Sequence, residues 1–105
     1  MYKQITNEQF EEIMVQSINK PIWLDVVSDT VSIPIQYPNF EFLVFSSGKY
    51  QFGHAEYDEE NNYQNLMIDI DCVAEIHKSK YYMYFGEQII LTMIDGIQLI
   101  LEFVY

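Results

Sequence analysis

Apolar residues recur at two different spacings along this 105-residue chain, and the change comes near residue 20. In the first stretch Phe10, Ile13, Met14 and Ile18 fall on one helical stripe, with Glu8, Glu12 and Gln16 away from it. Thr6 and Gln9 have the spacing of a capping box, and Ile5 and Phe10 that of a hydrophobic staple. Glu8, Glu11 and Glu12 complement the positive end of the helix dipole. Lys20-Pro21 closes the segment, because a residue before proline is pushed out of the α region. The pattern predicts one helix over residues 7–19.

Every later segment has the period of a strand. Ile22 to Val27 is a short β-rich run holding the only tryptophan, Trp23. Val31, Ile33 and Ile35 alternate with Ser32, Pro34 and Gln36, and the internal proline predicts an edge strand. Phe40 to Phe45 and Tyr50 to His54 flank the turn residues 46–49 and predict a hairpin. Leu66, Ile68, Ile70, Cys72, Ala74 and Ile76 alternate with Met67, Asp69, Asp71, Val73, Glu75 and His77. That alternation predicts one long half-buried strand with an acidic outer face. Tyr81 to Phe85 continues the β pattern. Asp95-Gly96 is a type I′ signal between 89–94 and 97–101, two runs apolar on both faces, so this hairpin should be central or doubly covered. The expected fold class is α+β, with one N-terminal helix packed on a bent antiparallel sheet or half-barrel of five to seven strands, all in a single domain over 1–105.

Charge changes the picture most. Sixteen acidic residues face five lysines and no arginine, a net −11 at pH 7. Direct nucleic-acid binding is therefore not expected, since phosphate contacts need clustered basic residues. The aromatic and β-branched content also excludes a disordered acidic tail. A lone cysteine, Cys72, rules out an intramolecular disulfide and reads as a small core residue. There is no signal-peptide pattern and no run near the ~18 apolar residues of a membrane span, so a cytoplasmic protein that avoids membranes is expected.

Catalytic signals are weak. Nucleophile-elbow, phosphate-loop, dinucleotide and zinc-protease motifs are all missing, and the four glycines stand singly. Neither His54 nor His77 has a serine or cysteine nucleophile at a recognisable spacing. Asp58 to Gln64 with Asp69 imitates a calcium loop, but Tyr63 stands where that loop needs glycine. Asp69, Asp71 and Glu75 on one strand face could hold Mg²⁺ or Mn²⁺, which gives the alternative of a metal-dependent hydrolase. The first reading, however, is of no enzyme, no cofactor and no bound metal.

The acids are unevenly placed. No basic residue lies between Lys49 and Lys78, an interval holding Glu56, Asp58, Glu59, Glu60, Asp69, Asp71 and Glu75. Tyr50, Tyr57 and Tyr63 lie in or beside it. Such a field steers a basic partner, and tyrosines anchor interfaces. The contact set expected is Glu56, Tyr57, Asp58, Glu59, Glu60, Asp69, Asp71 and Glu75. In size, acidity and lack of catalytic motifs the chain is similar in kind to nucleic-acid-mimic inhibitors encoded by phages, anti-CRISPR proteins among them. That resemblance implies a basic, nucleic-acid-binding protein or nuclease as the partner. A second reading is a toxin-neutralising immunity or antitoxin protein. A homodimer through residues 81–85 or the 31–36 edge is a further expectation.

Overall fold

A computed structural model describes residues 2–54, 65–79 and 87–103, with the backbone alone at His54. Within them the chain runs β1 (Lys3–Gln4), α1 (Asn7–Gln16), β2 (Ile22–Val27), β3 (Ser32–Tyr37), β4 (Phe40–Phe45), β5 (Lys49–His54), β6 (Leu66–Asp69), a 3-10 turn (Ile70–Cys72), β7 (Val73–Ser79), β8 (Gln88–Met93) and β9 (Gln98–Phe103). Six strands form a sheet in the order β1-β7-β8-β9-β2-β3, and β4-β5-β6 form a second. The pairings are antiparallel. The α+β class is as the sequence predicts. The strands number nine among the described residues, because a short N-terminal strand joins the sheet and the long acidic strand is divided. Residues 81–85 lie outside the described part.

The helix starts as its sequence requires. Gln9 N–H donates to Thr6 Oγ1 at 3.1 Å while Thr6 N–H donates to Gln9 Oε1 at 2.9 Å, so two otherwise orphaned donors are satisfied reciprocally. It ends earlier than Pro21 would force. Ser17 caps it, and Asn19 takes a left-handed φ of 66°. Asn19 N–H then donates to the Phe40 carbonyl, and Phe40 N–H donates to the Lys20 carbonyl. A tertiary contact with β4, not the proline, sets this boundary.

Both tight hairpins use a three-residue loop. Gly96 N–H donates to Met93 C=O, Met93 N–H donates to Ile97 C=O, and Gly96 alone of the loop has positive φ, 91°. A type I′ turn would need positive φ at Asp95 as well, so the expected two-residue turn is corrected to a turn with a left-handed glycine at its end. Gly48, φ 87°, closes the β4–β5 loop in the same way, its N–H donating to Phe45 C=O. Lys49 thereby joins β5.

The run 66–77 is the main revision. It is not one strand: β6 pairs with β5 in the small sheet, the chain turns at Ile70–Cys72, and β7 pairs with β8 in the large one. Ile70 N–H donates to Gly48 C=O and Ile94 N–H to Cys72 C=O, both at 2.9 Å, pinning the corner to two distant hairpins. A bulge between Val73 and Glu75 then leaves Ala74 exposed and Ile76 buried.

Both sheets and the helix share one core. Leu24, Ile89, Leu91, Leu101 and Phe103 contribute from the large sheet, Phe40, Phe42, Tyr50 and Phe52 from the small one. Phe10 of α1 meets Phe42 edge-on at 5.8 Å and lies 5.4 Å from Tyr50 and 6.3 Å from Phe52. β8 and β9 are central, as their two-sided apolar pattern requires. β3 is an edge, with Pro34 where its missing donor faces no partner strand. No helix among the described residues is long and apolar enough to cross a membrane.

Candidate protein-binding face

Strand alternation turns every second residue of the large sheet away from the core, and register aligns these residues into rows. Trp23 stands between Gln36 and Glu102, with Gln88 beyond Glu102. Asp25 stands between Pro34 and Ile100, followed by Ile90, His77 and Gln4. Val27 stands between Ser32 and Gln98, followed by Thr92 and Glu75. Lys3 and Lys78 pair in the opposite-facing row with Ile89. Among the described residues, no lysine or arginine belongs to the outward rows.

Three carboxylates therefore share this face, two of them, Glu102 and Asp25, beside an indole that is 38% exposed. Glu102 is held above the usual carboxylate range, chiefly by burial among its strand neighbours, then by the charge of Asp25, against a hydrogen bond from Gln88. Tyr2 lies at the β1 margin and donates its phenol to Gln88 Oε1 at 3.1 Å. Glu75 Oε2 is 3.9 Å from His77 Nδ1. Tyr2, Glu75, His77, Ile90, Thr92 and Gln98 border a shallow cleft of about 330 Å³. The face thus combines negative charge, amide groups and two aromatic rings on one sheet.

The expected row of Asp69, Asp71 and Glu75 is not assembled. Asp69 belongs to the outer face of the small sheet, where its Oδ1 lies 3.6 Å from Lys49 Nζ. Asp71 is exposed on the 3-10 turn, and Glu75 belongs to the large sheet. The corner at Ile70–Cys72 separates them. Among the described residues, no three His, Cys, Asp or Glu side chains gather as ligands for a metal ion. Glu56, Tyr57, Asp58, Glu59 and Glu60 lie outside the described residues, as does the calcium-like loop apart from Asp69.

Sequence reasoning passed over Trp23, Asp25 and Glu102. Their alternation with buried Ile22, Leu24, Leu101 and Phe103 could have marked each as outward-facing. Their adjacency could not be read that way, because it depends on β2 pairing with β9 from the other end of the chain. Cys72 is half-buried beside an apolar cleft, not sealed in the core, and His77 faces outward on β7. No model of a known protein family, no curated protein and no solved structure matches this chain.

Proposed function

We propose that this chain is a non-enzymatic, cytoplasmic binding protein that inhibits a basic nucleic-acid-binding protein or nuclease. The observation that carries the reading is the outward face of the large sheet, where Glu102 and Asp25 neighbour Trp23, Glu75 lies farther across the same face, and no lysine or arginine among the described residues belongs to their rows. Carboxylates there stand in for phosphates and the aromatic rings for stacked bases. The acidic residues Glu56, Asp58, Glu59 and Glu60, with Tyr57, extend the same charge along the chain. A net −11 adds long-range steering toward a basic groove.

The test is low-salt capture of partners from the source lysate, followed by competition with duplex DNA and RNA. A captured nucleic-acid-binding protein, displaced by nucleic acid and by rising salt, is the expected result. Two variants divide the surface: Asp25→Asn with Glu75→Gln and Glu102→Gln, and Asp58→Asn with Glu59→Gln and Glu60→Gln. If both bind as tightly as the parent, the acidic surface is not the interface. Capture of a basic toxin that binds no nucleic acid would favour the immunity-protein reading instead.

A further inference from the structure

The inner faces of the two sheets part where the Ile70–Cys72 turn passes the β8–β9 hairpin, leaving a cleft of about 360 Å³. Val26, Met93 and Leu99 line it from the large sheet, Leu66 and Ile68 from the small one, and Cys72 from the turn. Apart from Cys72 these are core-facing strand positions, and among the described residues the opposite layer does not close over them. The volume is more than twice that of the ~150 Å³ apolar cavity that takes up benzene, and lies in the range of roughly 300–1,000 Å³ typical of small-molecule sites. Walls of this kind offer water few hydrogen-bond partners, so an apolar occupant gains by displacing it.

The lip fixes the head group. Among the described residues lining the cleft, Asp95, at the tip of the hairpin, is the one carboxylate, and none is a lysine or histidine. Asp95 Oδ1 accepts from Ile97 N–H at 3.1 Å, which holds the carboxylate at the rim while its other oxygen can meet a ligand. A fatty acid would bring a like charge to this rim and find no counter-ion among the described lining residues. An ammonium group would find an acceptor of opposite charge.

We infer that the cleft is a binding site for a small primary amine with an apolar body, its ammonium against Asp95 and its chain between Val26, Ile68 and Leu99. This site lies between the sheets, and its occupancy does not depend on the outward face proposed for the protein partner.

Titrations of the whole chain with hexylamine, hexan-1-ol and hexanoate, followed by methyl NMR of Val26, Leu66, Ile68 and Leu99, test the inference. Hexylamine should shift these methyls saturably and slow alkylation of Cys72 by iodoacetamide. Hexanol should bind roughly three- to fivefold more weakly, the size of one partly exposed ion pair, and hexanoate more weakly still. Asp95→Asn keeps an oxygen for the Ile97 N–H and should bring hexylamine down to the affinity of hexanol. The inference is overturned by no saturable shift, by hexanol or hexanoate binding as well as the amine, or by an unchanged amine affinity in Asp95→Asn. Because the ligand series is run on the parent chain, a poorly folded variant does not decide the matter.

Discussion

The phenol of Tyr50 on β5 donates a 2.8 Å hydrogen bond to Glu11 Oε2 on α1. Tyr50 is fully buried and Glu11 half-buried, so this is a polar link between the helix and the small sheet, set beside the Phe10, Phe42 and Tyr50 rings. A buried hydroxyl aimed at a carboxylate makes a stronger bond than a neutral pair would.

Tyr50→Phe removes that bond but keeps the ring. Stability should fall by about 1.5 kcal/mol, the lower end for hydrogen bonds to charged groups. A double-mutant cycle with Glu11→Ala in urea denaturation should return a coupling on the order of 1 kcal/mol. Strictly additive losses would mean that the two groups do not interact.

Alkaline stability follows from the same ring and from Tyr37. Burial pushes the Tyr37 phenol up to about 12. The Tyr50 phenol is driven higher still, first by burial, then by its hydrogen bond to Glu11 and the Glu11 charge, with Asn7 opposing. An unfolded chain releases such protons near pH 10, at about the reference value. Between that pH and the raised folded values the folded chain holds more protons, so stability falls as pH rises. Urea midpoints should stay level from pH 7 to 9 and drop above about pH 10. In Tyr50→Phe the alkaline drop should be shallower.

Glu102 has the opposite neighbourhood to a paired carboxylate. Its raised pKa means that ionised Glu102 destabilises the folded chain, a cost present at neutral pH and relieved as pH falls toward the ordinary carboxylate range. Glu102→Gln should therefore stabilise the chain at pH 7 by less than about 1 kcal/mol, given its partial exposure. The gain should shrink as pH falls toward the ordinary carboxylate range and be gone below about 4. Asp25→Asn should move the Glu102 titration downward in side-chain carbon NMR. An unmoved titration would show that Asp25 exerts no influence on it.

Gly96 occupies the left-handed region at φ 91°, and open space surrounds the position of an added Cβ. Gly96→Ala should then cost only backbone strain, about 1–2 kcal/mol. Gly96→Asn should lose less, since asparagine tolerates that conformation. Equal melting temperatures for parent and Gly96→Ala would contradict the three-residue loop.

Capping, periodicity and turn chemistry made much of the fold legible. The Thr6–Gln9 box starts α1, β2 covers the predicted Ile22–Val27 run, and β4 spans the predicted Phe40–Phe45. Pro34 marks the edge strand and the two-sided apolar pattern marks the central β8–β9 pair. Each of these is written in residues close together in the chain. The run 66–77 shows where that information stops. Alternation reports which side chains face the core, and both sheets face the same core, so the pattern continues unbroken through a change of sheet.

The corner itself is held by Gly48 and by Ile94, residues 22 positions away from the two turn residues they bond, Ile70 and Cys72. The candidate face has the same origin. Charge placement along the chain pointed to the interval from Tyr50 to His77, but register across β2 and β9 set Trp23 and Asp25 beside Glu102. By itself, then, the sequence determined the helix, most strand identities and the acidity, because those depend on local pattern and composition. Only the tertiary structure decided which acids share a surface and where the layers open into an apolar cleft, because long-range pairing and imperfect closure of two sheets leave no local mark.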